Sequence, residues 1–148
     1  MTAATMQLEA SAQATGQAAT SGVSASPRSV TTVLRIEGLA GFVAGLAVFG
    51  ALGGSWLLAL PLLFLPDLAM VGYLRDARVG AVTYNLVHNW AIGLVVLGLG
   101  LWSGVAAIAI TGAILVAHTG MDRALGYGLK YPTSFRDTHL GRIGRNGR

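Results

Sequence analysis

Residues Trp56 to Leu74 read WLLALPLLFLPDLAMVGYL, and Arg75-Asp76-Ala77-Arg78 stops them. Nineteen residues with one charge are long enough to cross hydrocarbon: about 20 residues at 1.5 Å rise span a ~30 Å core. Three other runs have the same character. Ile36 to Leu52 precedes it, ending at Gly53-Gly54-Ser55; Val79 to Leu101 and Val105 to Asp122 follow, separated by Trp102-Ser103-Gly104. Backbone in lipid must satisfy its own hydrogen bonds, so the runs are expected to be helices. Short turns make neighbours antiparallel. The expected fold is all-α: an integral membrane protein with four antiparallel transmembrane helices (36–52, 56–74, 79–101 and 105–122) in an up-down-up-down bundle occupying 30–125.

Composition agrees. Of the 148 residues, 53% are hydrophobic and 11% charged, against about 25% charged in a soluble domain, and mean hydropathy is +0.63. An ordinary water-soluble globule is excluded. With no cysteine, disulfides, thiolate zinc sites and cysteine nucleophiles are excluded too. Residues 1–29 are Ala, Ser, Thr, Gln and Gly with few charges, a composition expected to form a disordered tail.

All ten Lys and Arg fall in the N-terminal segment, the 75–78 loop or the stretch after Asp122. In a four-span bundle those segments share one side, and basic short loops stay in the cytoplasm. Both termini are therefore expected to be cytoplasmic. Residues 126–148 read as a basic cytoplasmic tail whose nearest anions are lipid headgroups. Nucleic acid is not an expected partner, because no aromatic platform accompanies the tail's basic residues.

The polar residues carry the functional argument. On this topology Glu37 starts helix 1. Asp67 lies about 10 Å inward along helix 2, just after Pro66, which with Pro61 weakens that helix by removing backbone donors. Tyr84, Asn85, His88 and Asn89 fall in the first half of helix 3, and His118 and Asp122 close helix 4. All four helices thus contribute to one layer in the cytoplasmic half. An ionised group at mid-bilayer costs about 3 kcal/mol on insertion scales, so mutual satisfaction inside the bundle is expected. His118 and Asp122 share a helix face at i, i+4, as do Tyr84 and His88. Glu37, Gly41 and Gly45 form a small-residue stripe, which is expected to turn Glu37 inward.

Several separate motifs carry a resemblance. Leu34-Arg35-Ile36-Glu37-Gly38, Leu65-Pro66-Asp67-Leu68, Tyr84-Asn85-Leu86-Val87-His88 and the run from His118 to Tyr131, followed by Phe135 and Asp137-Thr138-His139-Leu140-Gly141, occur in order. Over about residues 33 to 143 the chain resembles a bacterial family of small four-span membrane proteins known as a domain of unknown function. The resemblance implies a multi-pass protein of a bacterial inner membrane and brings no activity with it.

Three readings of the polar layer compete. In the first, His88, His118 and Asp122 bind zinc or another divalent metal, a common ligand chemistry. Asp67 is then a fourth ligand or general base and Glu37 a second catalytic carboxylate, giving a metal-dependent hydrolase. Asn85, Asn89 and Tyr84 would orient the ligands, and Asp137 and His139 would fold back as a lid. In the second, the polar side chains only hold the helices, or a partner, together. In the third, they form a proton or solute pathway in a homo-oligomer.

Overall fold

The computed structural model describes residues 28–144. The expectations for residues 1–27 and for 145–148 lie outside them. Within that range the chain folds into five α-helices: α1 (Arg28–Ala51), α2 (Trp56–Phe64), α3 (Ala77–Val87), α4 (Trp90–Ser103) and α5 (Ala106–Leu125). A 3₁₀ segment, Leu65–Leu74, continues α2, and a two-stranded antiparallel hairpin, β1 (Asp137–Thr138) with β2 (Gly141–Arg142), follows α5. The architecture is all-α apart from that hairpin.

Helix α1 begins at Arg28 rather than near Ile36, and ends where Gly53, at φ +78°, turns the chain. The second run is continuous but changes pitch. Pro61 sits inside α2, and after Phe64 the chain tightens into ten residues of 3₁₀ helix, well beyond the usual three or four. The third run is a correction to the sequence reading. It is two helices, bent by 40° at His88-Asn89. Asn89 leaves helical geometry (φ −120°, ψ 150°) and its Oδ1 accepts from Ile92 N–H at 3.0 Å, capping α4. A side-chain acceptor at that position offsets the lost helical bonds.

Helix α5 is the axis of the molecule. Half of its twenty residues are buried, with α1 and α4 packed along it and α3 paired with the 3₁₀ segment. Glycine lets the backbones approach. A Cβ on Gly120 would collide with Phe42 N and Gly38 O of α1, and one on Gly112 with Leu97 N of α4. Near the far end, Phe49, Ala113 and Ile114 form a small apolar core. Thr83 Oγ1 donates to Ala69 O at 2.8 Å, tying α3 to the 3₁₀ segment.

Large apolar side chains cover the outside: Leu57, Leu74 and Trp102 are 86, 86 and 87% exposed. That surface suits lipid and not water. By length and composition, α1 and Trp56–Leu74 are each able to cross a membrane, and α3 with α4 make a third span if the bent pair counts as one.

The segment after α5 packs against the bundle. Gly126, at φ +96°, ends the helix, and Tyr127 N–H bonds back to Asp122 O at 2.7 Å. The chain then folds over the end of the bundle, burying Lys130, Thr138 and Leu140.

Candidate metal centre

Four side chains from three elements converge beneath that fold-back. Asp67 comes from the first turn of the 3₁₀ segment, His88 from the C-cap of α3, and His118 and Asp122 from adjacent turns of α5. One ligand atom from each lies within 4.8 Å of all the others. The two imidazoles face each other, Nε2 to Nε2, at 2.8 Å. Asp67 Oδ1 is 3.4 Å from His88 Nε2 and 3.5 Å from His118 Nε2, and Asp122 Oδ2 is 3.8 Å from each.

The far sides of the rings fix their protons. His88 Nδ1 lies 2.8 Å from Tyr84 O, and His118 Nδ1 lies 2.6 Å from Leu63 O. A carbonyl only accepts, so each Nδ1 must donate. In the neutral rings both Nε2 atoms then carry lone pairs, aimed at one another and flanked by two carboxylates. Four acceptors around one point call for a cation between them, a metal ion or at least a proton. Carbonyl partners on the outer nitrogens of histidine ligands are a regular feature of metal sites.

Local sequence explains why the Leu63 carbonyl is free. In 3₁₀ geometry it would accept from residue 66, and Pro66 has no N–H. Tyr84 completes the support: its hydroxyl donates to Asp122 Oδ2 at 2.5 Å, and its ring stacks on His88 with centroids 3.6 Å apart. The histidine side chains are 2% and 0% exposed, Asp122 12% and Asp67 30%. Asp67 is therefore the open side of the cluster.

The other expected site residues stand elsewhere. Glu37 is exposed and outside the group, a correction whose cause is helical phase. The face of α1 that meets α5 carries Gly38, Gly45 and Phe49, so that of the expected stripe Gly45 alone lies on it, while Gly41 takes the Trp90 ring. Asn85 does not orient an imidazole. Its Nδ2 donates to Lys130 O at 2.9 Å and its Oδ1 accepts from Lys130 N–H at 2.7 Å. Asn89 caps α4. Asp137 and His139 do not reach the cluster and instead brace the fold-back. The Thr133 hydroxyl donates to Asp137 Oδ2 at 2.8 Å, holding that carboxyl below its ordinary range. His139 Nδ1 accepts from Leu129 N–H at 2.8 Å, and burial, reinforced by Arg123, pushes the imidazole below its ordinary range.

Lys130 is the residue the sequence reading overlooked. It is 4% exposed, its Nζ 4.2 Å from the Phe135 ring centroid, 5.0 Å from Tyr84 and 6.0 Å from Tyr127. Burial pushes its pKa down, and the charges of Asp122 and Asp67 oppose that. Aromatics at 127, 131 and 135 around a lone lysine were the available signal.

The Asn85 pair makes a direct prediction. Asn85→Ala leaves the Lys130 peptide without either partner, a loss of about 1–3 kcal/mol for a buried group. Amide exchange across residues 128–142 is expected to accelerate by at least about tenfold, while α5 exchange stays unchanged. Unaltered exchange in that segment would show that something else holds it down.

A family model described as Domain of unknown function (DUF4260) matches residues 31–143. The chain belongs to this family. No curated protein and no solved structure matches it. The DUF4260 region takes in all four cluster residues, Asn85 and Lys130.

Proposed function

We propose that this DUF4260 protein is a four-span bacterial membrane protein that binds one divalent metal ion through Asp67, His88, His118 and Asp122, and that it acts as a metal-dependent hydrolase. The observation that carries the proposal is the approach of two imidazole Nε2 atoms, both Nδ1 sites committed to carbonyls, between two carboxylates. Helix α5 is the fourth span: its twenty residues reach about 30 Å, and its ionisable residues lie at one end, turned away from lipid. Arg28, Arg35, Arg75, Arg78, Arg123 and Lys130 gather at that same end, so both termini are cytoplasmic.

When bound, a zinc-like ion supplies Lewis acidity and lowers the pKa of water to about 7. The chain's own groups do the rest. His88, His118 and Asp122 hold the ion, the Tyr84 and Leu63 carbonyls fix the ring tautomers, and the Tyr84 hydroxyl fixes Asp122. Asp67 is the fourth ligand group and, as the most open of the four, also the carboxylate available to take a proton from the attacking water.

The competing reading, polar glue between helices, is served by a single proton shared between the histidines. Elemental analysis of protein purified without chelator separates the two. About one ion per chain is expected, with thermal stability falling on chelation. A metal-free chain of undiminished stability overturns the proposal. A quieter variant probes the same site. Pro66→Ala restores an N–H that competes for Leu63 O, so ion affinity should drop about 10–100-fold, as for other outer partners of metal ligands, with the fold retained.

A further inference from the structure

An apolar crevice of about 360 Å³ opens beside the cluster, lined by residues of α2, the 3₁₀ segment, α3 and α5. That volume falls at the lower end for ligand pockets. Its position along the chain is informative. Pro66 precedes Asp67, Val87 precedes His88, and Ile114 lies one turn before His118, so residues flanking three of the four cluster members form one end of the crevice. Leu62 and Ile110 continue it away from the basic end of the bundle. Thr111 alone brings a hydroxyl to the lining, and that donates to Ala107 O at 2.8 Å. Nothing there receives a polar ligand; in a bilayer the natural occupant of such a concavity is hydrocarbon.

Lys130 lies toward the other side of the cluster, past Tyr84 and beyond the end of α5. A lysine this buried is almost always paired. Here its ammonium meets only aromatic faces, and no carboxylate lies within ion-pairing distance among the described residues. The site therefore offers one cation and four ligand groups, with an apolar slot formed by their chain neighbours and its open side at Asp67.

We propose that the molecule acted on at this cluster is an anionic lipid, its charged head held by Lys130 and one hydrocarbon chain lying in the crevice past Pro66, Val87 and Ile114. This rests on the metal-dependent reading above and gives it a substrate class.

Native mass spectrometry of the full chain in detergent tests it, with dioleoyl phosphatidic acid and dioleoyl phosphatidylcholine as probes and metal content measured on the same sample. One phosphatidic acid per chain is expected, preferred by about tenfold or more, the equivalent of one charge-assisted contact. Ile114→Trp fills the crevice and should abolish retention of both lipids with metal unchanged. Lys130→Met should keep chain binding and lose the headgroup preference. Should Ile114→Trp fail to fold, phosphatidic acid carrying a photoreactive diazirine in its acyl chain tests the native protein, with label expected on 62–66 and 110–115. Label spread over the outer face of α1, equal retention of the two lipids, or a dimer in which a second copy covers the crevice would each overturn the inference. A chain that holds metal but shows none of these lipid effects sinks this inference and leaves the metal reading intact. Specific lipid retention by a metal-free chain overturns the metal reading and, with it, the role of the lipid as substrate, leaving a lipid-binding site alone.

Discussion

His118→Ala is expected to take the bound metal from about one ion per chain to below about a tenth of that. Affinity should fall by more than the 10–100-fold typical of groups outside the ligand set. The reasoning is geometric. His118 is fully buried, its Nε2 meets His88 Nε2 at 2.8 Å, and no other imidazole can reach the same point. Alanine also leaves a cavity and orphans the Leu63 carbonyl, so a loss of stability alone decides nothing. The discriminating measurement is thermal stability with and without added zinc. The parent chain should stabilise as the ion is titrated in, because binding to the folded state alone adds RT ln(1 + [L]/Kd), whereas His118→Gln should fold and show no response. A glutamine variant that still responds to zinc would place the ion elsewhere.

Gly120→Val is expected to be severely damaging although Gly120 is not one of the cluster residues. Any Cβ at Gly120 points into Phe42 N and Gly38 O, backbone atoms that cannot swing aside. Helices α1 and α5 would have to separate along their length. Overpacking costs typically 1–3 kcal/mol, and more where backbone must move; about 3 kcal/mol is expected here, visible as a lower unfolding temperature or as loss of folded protein. Gly98→Ala is the control. Nothing lies within 4 Å of a Cβ at Gly98, and alanine is the better helix former, so its unfolding temperature should be unchanged or higher. Equal damage from both variants would refute the close-packing explanation.

Much of this was legible because lipid leaves a sequence few options. Four apolar runs and their stops are visible without coordinates, and ionisable groups that cannot face acyl chains must turn inward, which is why Asp67, His88, His118 and Asp122 could be grouped. The misreadings come from choices that apolar composition does not constrain. Glycines at 38, 41 and 45 permit two packing faces on α1, and only the partner helix decides that Glu37 stays outside. Asn89 looks the same whether it orients a ligand or caps a helix, although an asparagine just before an apolar run is an N-cap signature. The pairing of Asn85 with the Lys130 backbone joins residues 45 apart in the chain, and nothing local to either encodes it.

The division of the four cluster residues has a mechanical meaning. Asp67 and His88 belong to the paired 3₁₀ segment and α3, while His118 and Asp122 belong to the helix around which the rest is built. Tyr84 on Asp122, the Leu63 carbonyl on His118 and Asn85 on the Lys130 backbone also join the two bodies at this end, and the joint between α3 and α4 falls at His88 itself. An ion seated among these side chains would act as a rivet, adding one more tie between the two halves across the bend at His88.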